Sequence, residues 1–597
     1  MKREYKLETD LIYHSLIAYC EHMAETLIST AYSPLLYDAV DFSVALFNSS
    51  GVLIAQNLGC PVHLAAIGAT VRAALNEFKD DFAEGDVILT NDPYIGGTHL
   101  GDFTFISPIC YKEELIGLAA TRIHVTDYGS AYPGGDHPAV DIFQEGLRIP
   151  PIKLYTRGEA DVDVIKLITA NSRTPKWLEG DIRAAVAANI TGIKSYSALY
   201  AKYGKEIFEK TVENILDYSE RMLKQAINDI PTGTYSAEDY IDDDMVTDSP
   251  VTIKVTIKVC NGELFIDFTG TSSLVRGPLN RPRHAAIGDV AYAVKTLLEP
   301  EGPANDGVLR PLKVHIPENS VLDAKWPYPV GQGNLATTAR ITDVIWQALA
   351  PALPEKVTGM LYGGCDSFAA FGIDASAQKS WTIVDLPAGG WGARHNKDGV
   401  SALWHLLGNC QDTQVEIIEA FYPILMLQRR LRTNSGGAGI FRGGLGSINA
   451  YKLKERAILN LCVNRAREGP PGIFGGLRGS PGCIKMINSK GESTVICGVD
   501  EKGNYKGWGK VLEIDPESII IIESAGGGGY GDPLKRDPYL VYKDVLDKYI
   551  TLDTAERIYG VVIRQDDEDL VLDLDATESL RHKLSLSRRN VSQIDNP

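Results

Sequence analysis

Thr90-Asn-Asp-Pro-Tyr-Ile-Gly-Gly-Thr-His-Leu-Gly-Asp102 stands between two apolar runs, Val87-Ile-Leu-Thr90 before it and Phe103-Thr-Phe-Ile106 after it. Both runs are rich in β-branched and aromatic residues, so they read as short strands joined by a loop. Pro93 and the pair Gly96-Gly97 mark the loop, and a glycine pair lets backbone turn tightly or approach another group closely. His99 and Asp102 sit at its exit, and His124 follows in Arg122-Ile-His-Val-Thr-Asp-Tyr-Gly129. Two imidazoles and a carboxylate can hold a divalent metal with coordination positions left open. The same residues also fit a structural reading, with His99 capping a turn and His124 a satisfied histidine on a strand.

Working outward, Asp41-Phe-Ser-Val-Ala-Leu-Phe47 and Val52-Leu-Ile-Ala55 flank Asn48-Ser-Ser-Gly51 and predict a hairpin. Asp41, at the mouth of the first strand, is a turn-former that could reach the metal. His63, in Pro61-Val-His-Leu64, reads as a helix-entry residue, with a pocket role as the alternative. Before the hairpin, Ile12, Leu16, Cys20, Met23 and Leu27 recur at helical spacing behind a cap at Thr9 or Asp10, and Pro34 ends the helix. After the metal segment, Tyr132-Pro-Gly-Gly-Asp-His137 reads as a loop, with His137 outside the site. Phe208, Val212, Ile215, Leu216, Met222 and Leu223 share one face of a further helix.

The period then changes from helical to alternating. Val251, Ile253, Val255, Ile257 and Val259 alternate with Thr and Lys, Asn261-Gly262 follows, and Leu264-Phe-Ile-Asp-Phe268 returns. This is a hairpin with a tight Asn-Gly turn. Glycine-rich loops follow, Gly389-Gly-Trp-Gly-Ala-Arg394 and Asn434-Ser-Gly-Gly-Ala-Gly439 among them. Gly526, Gly528 and Gly531 satisfy G-x-G-x-x-G behind the strand-like Ile519-Ile-Ile-Ile522. A dinucleotide fingerprint needs a helix to open there, and Asp532-Pro533 and Asp537-Pro538 delay one, so we read a structural loop. Pro538 opens a helix, Asp553-Thr-Ala-Glu556 forms a capping box, and Ser585 to Pro597 is a frayed polar tail. The reading gives a mixed α/β (α+β) chain in four regions: metal-binding 1–205, helix plus antiparallel hairpin 206–320, glycine-rich α/β core 321–532, and C-terminal helical segment and tail 533–597.

Composition narrows the class. At 597 residues the chain is too long for one compact core. Its 44% hydrophobic and 23% charged content is that of a globular protein. A formal net charge of -18 disfavours a nucleic-acid or anionic-membrane footprint. We expect no membrane span and no signal peptide, hence a cytoplasmic protein. The 9 cysteines are scattered, which argues against a disulfide framework and a cysteine-ligated zinc site.

These segments, taken in order, resemble the hydantoinase B/oxoprolinase family over nearly the whole chain. The matching stretches include Asp41-Phe-Ser43, Pro61-Val-His63, Asn91-Asp-Pro-Tyr-Ile-Gly-Gly-Thr-His99, Gln144-Glu-Gly146, Asn305-Asp-Gly307, Gly390-Trp-Gly-Ala-Arg394, Phe441-Arg-Gly-Gly444 and Gly526-Gly-Gly-Gly-Tyr-Gly-Asp-Pro533. The resemblance implies a mixed α/β subunit working with an ATP-binding, hydantoinase A-like partner of actin-like fold, in an (αβ)2 assembly. It also implies a divalent metal held by His99, Asp102 and His124, with Asp41 in the same site: zinc first, manganese or iron as alternatives. ATP and its magnesium belong to the partner. The resemblance points to hydrolytic members, lactam-opening ones among them. Gly101 stands where many members carry proline, and Gly129-Ser130 replaces a common Gly-Gly.

The expected activity is ATP-dependent hydrolysis of a cyclic amide (lactam, hydantoin or oxoproline type). An amide carbonyl is a poor electrophile, so the partner would phosphorylate the substrate oxygen, and the metal would lower the pKa of its water. Asp127 is a candidate general base or a partner that orients His124, or else only shapes the turn before Gly129. The rivals are an ATP-dependent ketone carboxylase, a non-haem iron oxygenase built on the same two-histidine, one-carboxylate set, and a non-catalytic scaffold subunit.

Overall fold

The strands around the metal loop are short alternating runs with one apolar face turned each way, so the sheet they form needs cover on both sides. The computed structural model describes residues 2–594 apart from 58, 79, 80, 136, 375–378, 567 and 568. Seven strands make its first sheet: β1 (Phe42–Asn48), β2 (Leu53–Gln56), β3 (Val87–Thr90), β4 (Asp102–Tyr111), β5 (Glu114–His124), β6 (Ile152–Thr156) and β7 (Glu159–Ala160). They run in the order β2-β1-β5-β4-β3-β6-β7, and every pairing is antiparallel. Val44, Leu46, Phe103 and Phe105 face a cluster shared with helices Lys2–Thr30 and Pro175–Tyr203. Ala45, Phe47, Ile88 and Ile106 face the helix Pro61–Phe78 on the other side. Phe103 and Phe105 are fully buried, and each such side chain contributes roughly 1.5–3 kcal/mol of transfer free energy.

The expected helical face Ile12, Leu16, Cys20, Met23 and Leu27 is wholly buried. The helix itself begins at Lys2 rather than at a cap on Thr9 or Asp10, because the polar residues before Thr9 continue it. The 29-residue helix Pro175–Tyr203, which the sequence reading missed, packs against it. Its buried face mixes large residues (Leu178, Ile182, Val186, Tyr196, Leu199, Tyr200) with small and polar ones (Gly180, Asp181, Ala184, Ala185, Ala188, Asn189, Gly192), which interrupts the apolar stripe that marks a helix.

The second sheet has four strands, β8 (Gly233–Ile241), β9 (Val251–Cys260), β10 (Glu263–Asp267) and β11 (Leu312–His315). Asn261 (φ 51) and Gly262 (φ 73) make the left-handed turn between β9 and β10, as the Asn-Gly pair requires. Helices Arg283–Leu298 and Ala336–Leu349 cover this sheet and join its core to the rest.

The C-terminal half holds β12 (Ser367–Asp374), β13 (Lys379–Asp385), β14 (Ile424–Leu431), β15 (Ser447–Leu453), β16 (Ala457–Cys462), β17 (Cys483–Ile487), β18 (Ser493–Cys497), β19 (Gly509–Ile514) and β20 (Ile519–Glu523). They form two sheets, ordered β13-β12-β16-β19 and β14-β15-β20-β17-β18. Between them the glycine-rich segments lie backbone against backbone. Gly390 donates to Ala525 O (3.0 Å), Gly444 to Trp391 O (2.8 Å), Gly527 to Gly444 O (2.9 Å), Gly437 to Gly527 O (2.8 Å) and Gly528 to Met360 O (2.9 Å). A Cβ on Gly392 would overlap Gly359 O, and one on Gly527 would overlap Trp391 O. The close approach that glycine permits is thus made within the chain. No helix opens at Gly526: Asp532 caps only the short 3-10 turn Pro533–Lys535.

Asp537 accepts from Tyr539 N and starts the helix Pro538–Leu546. The next helix, Leu552–Arg557, is capped by Thr551 through Thr554 N, not by the expected Asp553 box. A hairpin, Val562–Asp566 with Asp569–Asp573, and a helix Leu574–Ile594 follow, so the tail expected to fray from Ser585 is helical up to Ile594; residues 595–597 lie outside the described residues. Among the described residues no helix is long and apolar enough to cross a membrane.

Candidate metal centre

Strand register brings the first candidate ligands together. Asp102, the first residue of β4, pairs with His124, the last of β5, while Phe42 of β1 pairs with Ile123. His124 N donates to Asp41 O (3.0 Å), which sets Asp41 beside the same strand ends. The loop is tied back by Asn91, whose Nδ2 donates to Leu100 O (2.8 Å) and Leu147 O (2.9 Å) and whose Oδ1 accepts from Ile149 N (2.6 Å). Asp102 N then turns back on His99 O (3.3 Å). His284, from the helix over the second sheet, holds Gly97 O through Nε2 (2.7 Å).

Asp102 is the hub. Its Oδ2 lies 3.0 Å from His99 Nδ1 and accepts from Thr98 Oγ1. Its Oδ1 lies 3.2 Å from His124 Nδ1 and 3.2 Å from His63 Nε2. Asp41 joins at His63, with Oδ1 3.6 Å from Nε2. His99, Asp102 and His124 therefore form one group of donor atoms within 4.8 Å of one another, and Asp41, Cys60 and His63 an adjoining one. His63 sits in the first turn of Pro61–Phe78, so it is both the helix-entry residue and a member of the cluster, which corrects the preference for a merely structural role. The rings of His99 and His124 stack at 4.9 Å and 12°. Gly101 allows this: a Cβ there would strike His124 Cε1 and lie 2.9 Å from His99 Nε2.

Electrostatics follow from burial and the shared carboxylate. Burial alone would raise the Asp102 carboxyl, but His63, His99 and His124 outweigh it and hold it well below the usual carboxylate range. Burial opposes charge on His63, yet Asp102, Cys60 and Asp41 raise it to about 9. Burial dominates at His99, which is lowered despite Asp102. Arg122 lies fully buried below the cluster and is lowered to about 10 by burial. It donates to Thr104 Oγ1 (2.8 Å), His63 O (3.1 Å) and Thr70 Oγ1 (2.6 Å), which fixes the turn that carries His63.

Asp41, His63, His99 and His124 line a cavity of about 40 Å³, whose other walls include Asn334, Thr338, Leu386, Trp404, His405 and Leu407. That is room for a few waters or an ion. The residues fit a divalent cation. Among the proposed ligands, His99 Nδ1 and His124 Nδ1 lie 3.0 and 3.2 Å from the two Asp102 carboxylate oxygens, near the ligand-to-ligand edge of about 3.4 Å that bonds of about 2.1 Å give a tetrahedral site. Among the described residues Asp41 Oδ1 and His63 Nδ1 are buried without a hydrogen-bond partner.

Asp127 does not join this wall. Its carboxylate takes the Arg173 guanidinium and Arg173 N, and Arg173 continues to Ser130 O (2.8 Å). His137 is buried at Tyr132, away from the cluster. Cys60, Arg122 and His405 gave no signal in the sequence: each sits in an ordinary helix-entry, strand or loop context and acquires its neighbours only through the fold.

Fold and site define a mixed α/β chain with a buried carboxylate–imidazole centre. Residues 6–533 match the hydantoinase B/oxoprolinase family, and the chain belongs to that family. An uncharacterized protein of Methanocaldococcus jannaschii is 36% identical over 580 residues, covering 96% of this chain and 99% of that one. The solved structure of an ATP-dependent caprolactamase from Pseudomonas jessenii is similar with TM-score 0.88 and 28% identity, covering 97% of this chain and 99% of that chain. A nucleotide-free acetone carboxylase shares the fold, with TM-score 0.87 at 20% identity, over 98% of this chain and 83% of that one.

Proposed function

We propose that this chain is the metal-containing catalytic subunit of an ATP-dependent cyclic-amide hydrolase, acting with an ATP-binding, hydantoinase A-like partner in the cytoplasm as an (αβ)2 assembly. The observation that carries the reading is the buried, Asp102-centred cluster of three imidazoles and a carboxylate beside a cavity. His99, Asp102, His124 and Asp41 would hold the cation, with zinc suiting the nitrogen and carboxylate donors and manganese or iron as alternatives. A divalent cation there supplies Lewis acidity and brings the pKa of water toward neutrality. His63 orients Asp102 and Asp41, and Arg122 holds His63 in place. Val384, Leu386 and Leu407 give the cavity an apolar wall, and low-polarity surroundings strengthen the polar contacts beside them. Asp127, paired with Arg173, braces the segment after His124, and we assign it no proton transfer.

ATP is assigned to the partner because no glycine-rich segment of this sequence has the G-x-x-x-x-G-K-[ST] spacing. The test is the co-purified complex with 5-oxoproline, hydantoin and ε-caprolactam, with and without ATP, alongside bicarbonate fixation on acetone. Ring opening that needs ATP and the metal is expected. Bicarbonate-dependent loss of ketone, or oxygen uptake without ATP, overturns the reading.

A further inference from the structure

His405 belongs to the cavity wall, on the segment Trp404-His-Leu-Leu-Gly408. Its neighbours hold that segment still: Trp404 Nε1 donates to Leu386 O (3.0 Å), and Trp391 Nε1 donates to Trp404 O (2.5 Å). His405 Nδ1 accepts from Leu407 N at 3.2 Å. An imidazole nitrogen that accepts a backbone N–H carries no proton, so the ring proton is on Nε2. Among the described residues that Nε2 has no hydrogen-bond partner, and the side chain is only 6% exposed. A buried donor without an acceptor is unfavourable, and an acceptor brought by a ligand would relieve it.

We infer that the Nε2–H of His405 is a fixed donor for an oxygen of the ligand that enters this cavity, a carbonyl or carboxylate-like oxygen lodged between His405 and the Asp41–His99–Asp102–His124 group. The inference rests on the metal reading above and adds the second contact that group lacks. The donor is suited to the task. Burial first, then Arg340 and Arg465, lower His405 to about 3, so it stays neutral and donates one hydrogen bond at any working pH. A neutral imidazole aimed where negative charge develops stabilises that charge without being reorganised.

The test uses the full chain loaded with Co2+, whose visible spectrum reports on the oxygens that join it, titrated with acetate. No ATP, partner or cyclic amide is present, so the outcome is separate from the ring-opening assay. Acetate should bind His405→Ala at least about tenfold more weakly than the wild type, a loss of about 1.4 kcal/mol. Co2+ content and the acetate-free spectrum should be unchanged. His405→Gln, which keeps an N–H donor and most of the volume, should recover part of the affinity. Equal acetate affinity in wild type and His405→Ala, or His405→Leu where the alanine variant does not fold, overturns the inference, and so does loss of Co2+ in the variants, which would make His405 part of the metal support. A wild-type chain that takes up no Co2+ also overturns it.

Discussion

The glycine layer around Gly527 and the imidazole cluster around Asp102 are both buried and both polar, yet they reach burial by opposite routes. In the glycine layer the polar groups are peptide units, the side chains are missing, and neighbouring N–H and C=O groups satisfy one another. In the cluster the polar groups are side chains crowded on one carboxylate, and some of their atoms have no partner. A region whose groups satisfy one another is finished by folding alone. A region with unpaired buried donors and acceptors carries a cost that a ligand can remove.

That contrast can be broken by substitution. The largest effect is expected in the glycine layer: Gly392→Ala and Gly527→Ala each place a methyl group onto a carbonyl oxygen of the facing segment. Both should cost more than about 4 kcal/mol and leave little soluble chain. A well-folded Gly527→Ala variant, by circular dichroism and thermal melting, would mean that the layer is looser than its geometry.

Next come the proposed ligands. His99→Ala, Asp102→Ala, His124→Ala and Asp41→Ala should each lose metal and turnover. They should also lose the ligand's share of stability, about 4 kcal/mol where free metal is a thousand times its dissociation constant. In a chelator the variants should melt close to the wild-type chain, because the cluster is unfinished without metal. Metal content per chain, melting temperature with and without chelator, and turnover decide this. Full metal and activity in His99→Ala or His124→Ala would move the site elsewhere.

The smallest effect sharpens the comparison with a polar residue that belongs to neither region. Burial, then Arg173, lowers His137 to about 4. The unfolded chain takes up a proton near the ordinary histidine value of about 6.5, while the folded chain resists it down to about 4. Stability therefore falls as pH drops from about 6.5 to about 4. His137→Gln should flatten that slope by up to about 3 kcal/mol while leaving turnover at neutral pH within about twofold. An unchanged slope in urea melts across that range would show that His137 is hydrated in the folded chain.

The sequence revealed the parts that depend on local pattern. Alternation and an Asn-Gly pair gave the β9–β10 hairpin, and the two apolar runs gave β3 and β4 with the loop between them. His99, Asp102 and His124 were legible because the loop and one strand pair carry them, so sequence distance stands in for space. His63 was undervalued because a histidine after proline at a helix start has an ordinary explanation, and only the packing of Pro61–Phe78 on β4 and β5 turns it toward Asp102. His405 lies hundreds of positions away on a loop, and nothing local to it indicates a cavity. Asp127 misled for the reverse reason: it is close to His124 in sequence, but its carboxylate turns to Arg173.

The pairing of Asp102 with His124 across β4 and β5 has a consequence for how the chain matures. Side chains on a strand alternate faces, so a slip of one residue between those strands would send one of the pair to the opposite side of the sheet. Asp41, one residue before Phe42 on β1, obeys the same rule through the Phe42–Ile123 pair. A cation that needs all three can be captured only by a sheet zipped in one register. A cation bound as proposed would therefore report the register, and a misregistered chain would be left without it.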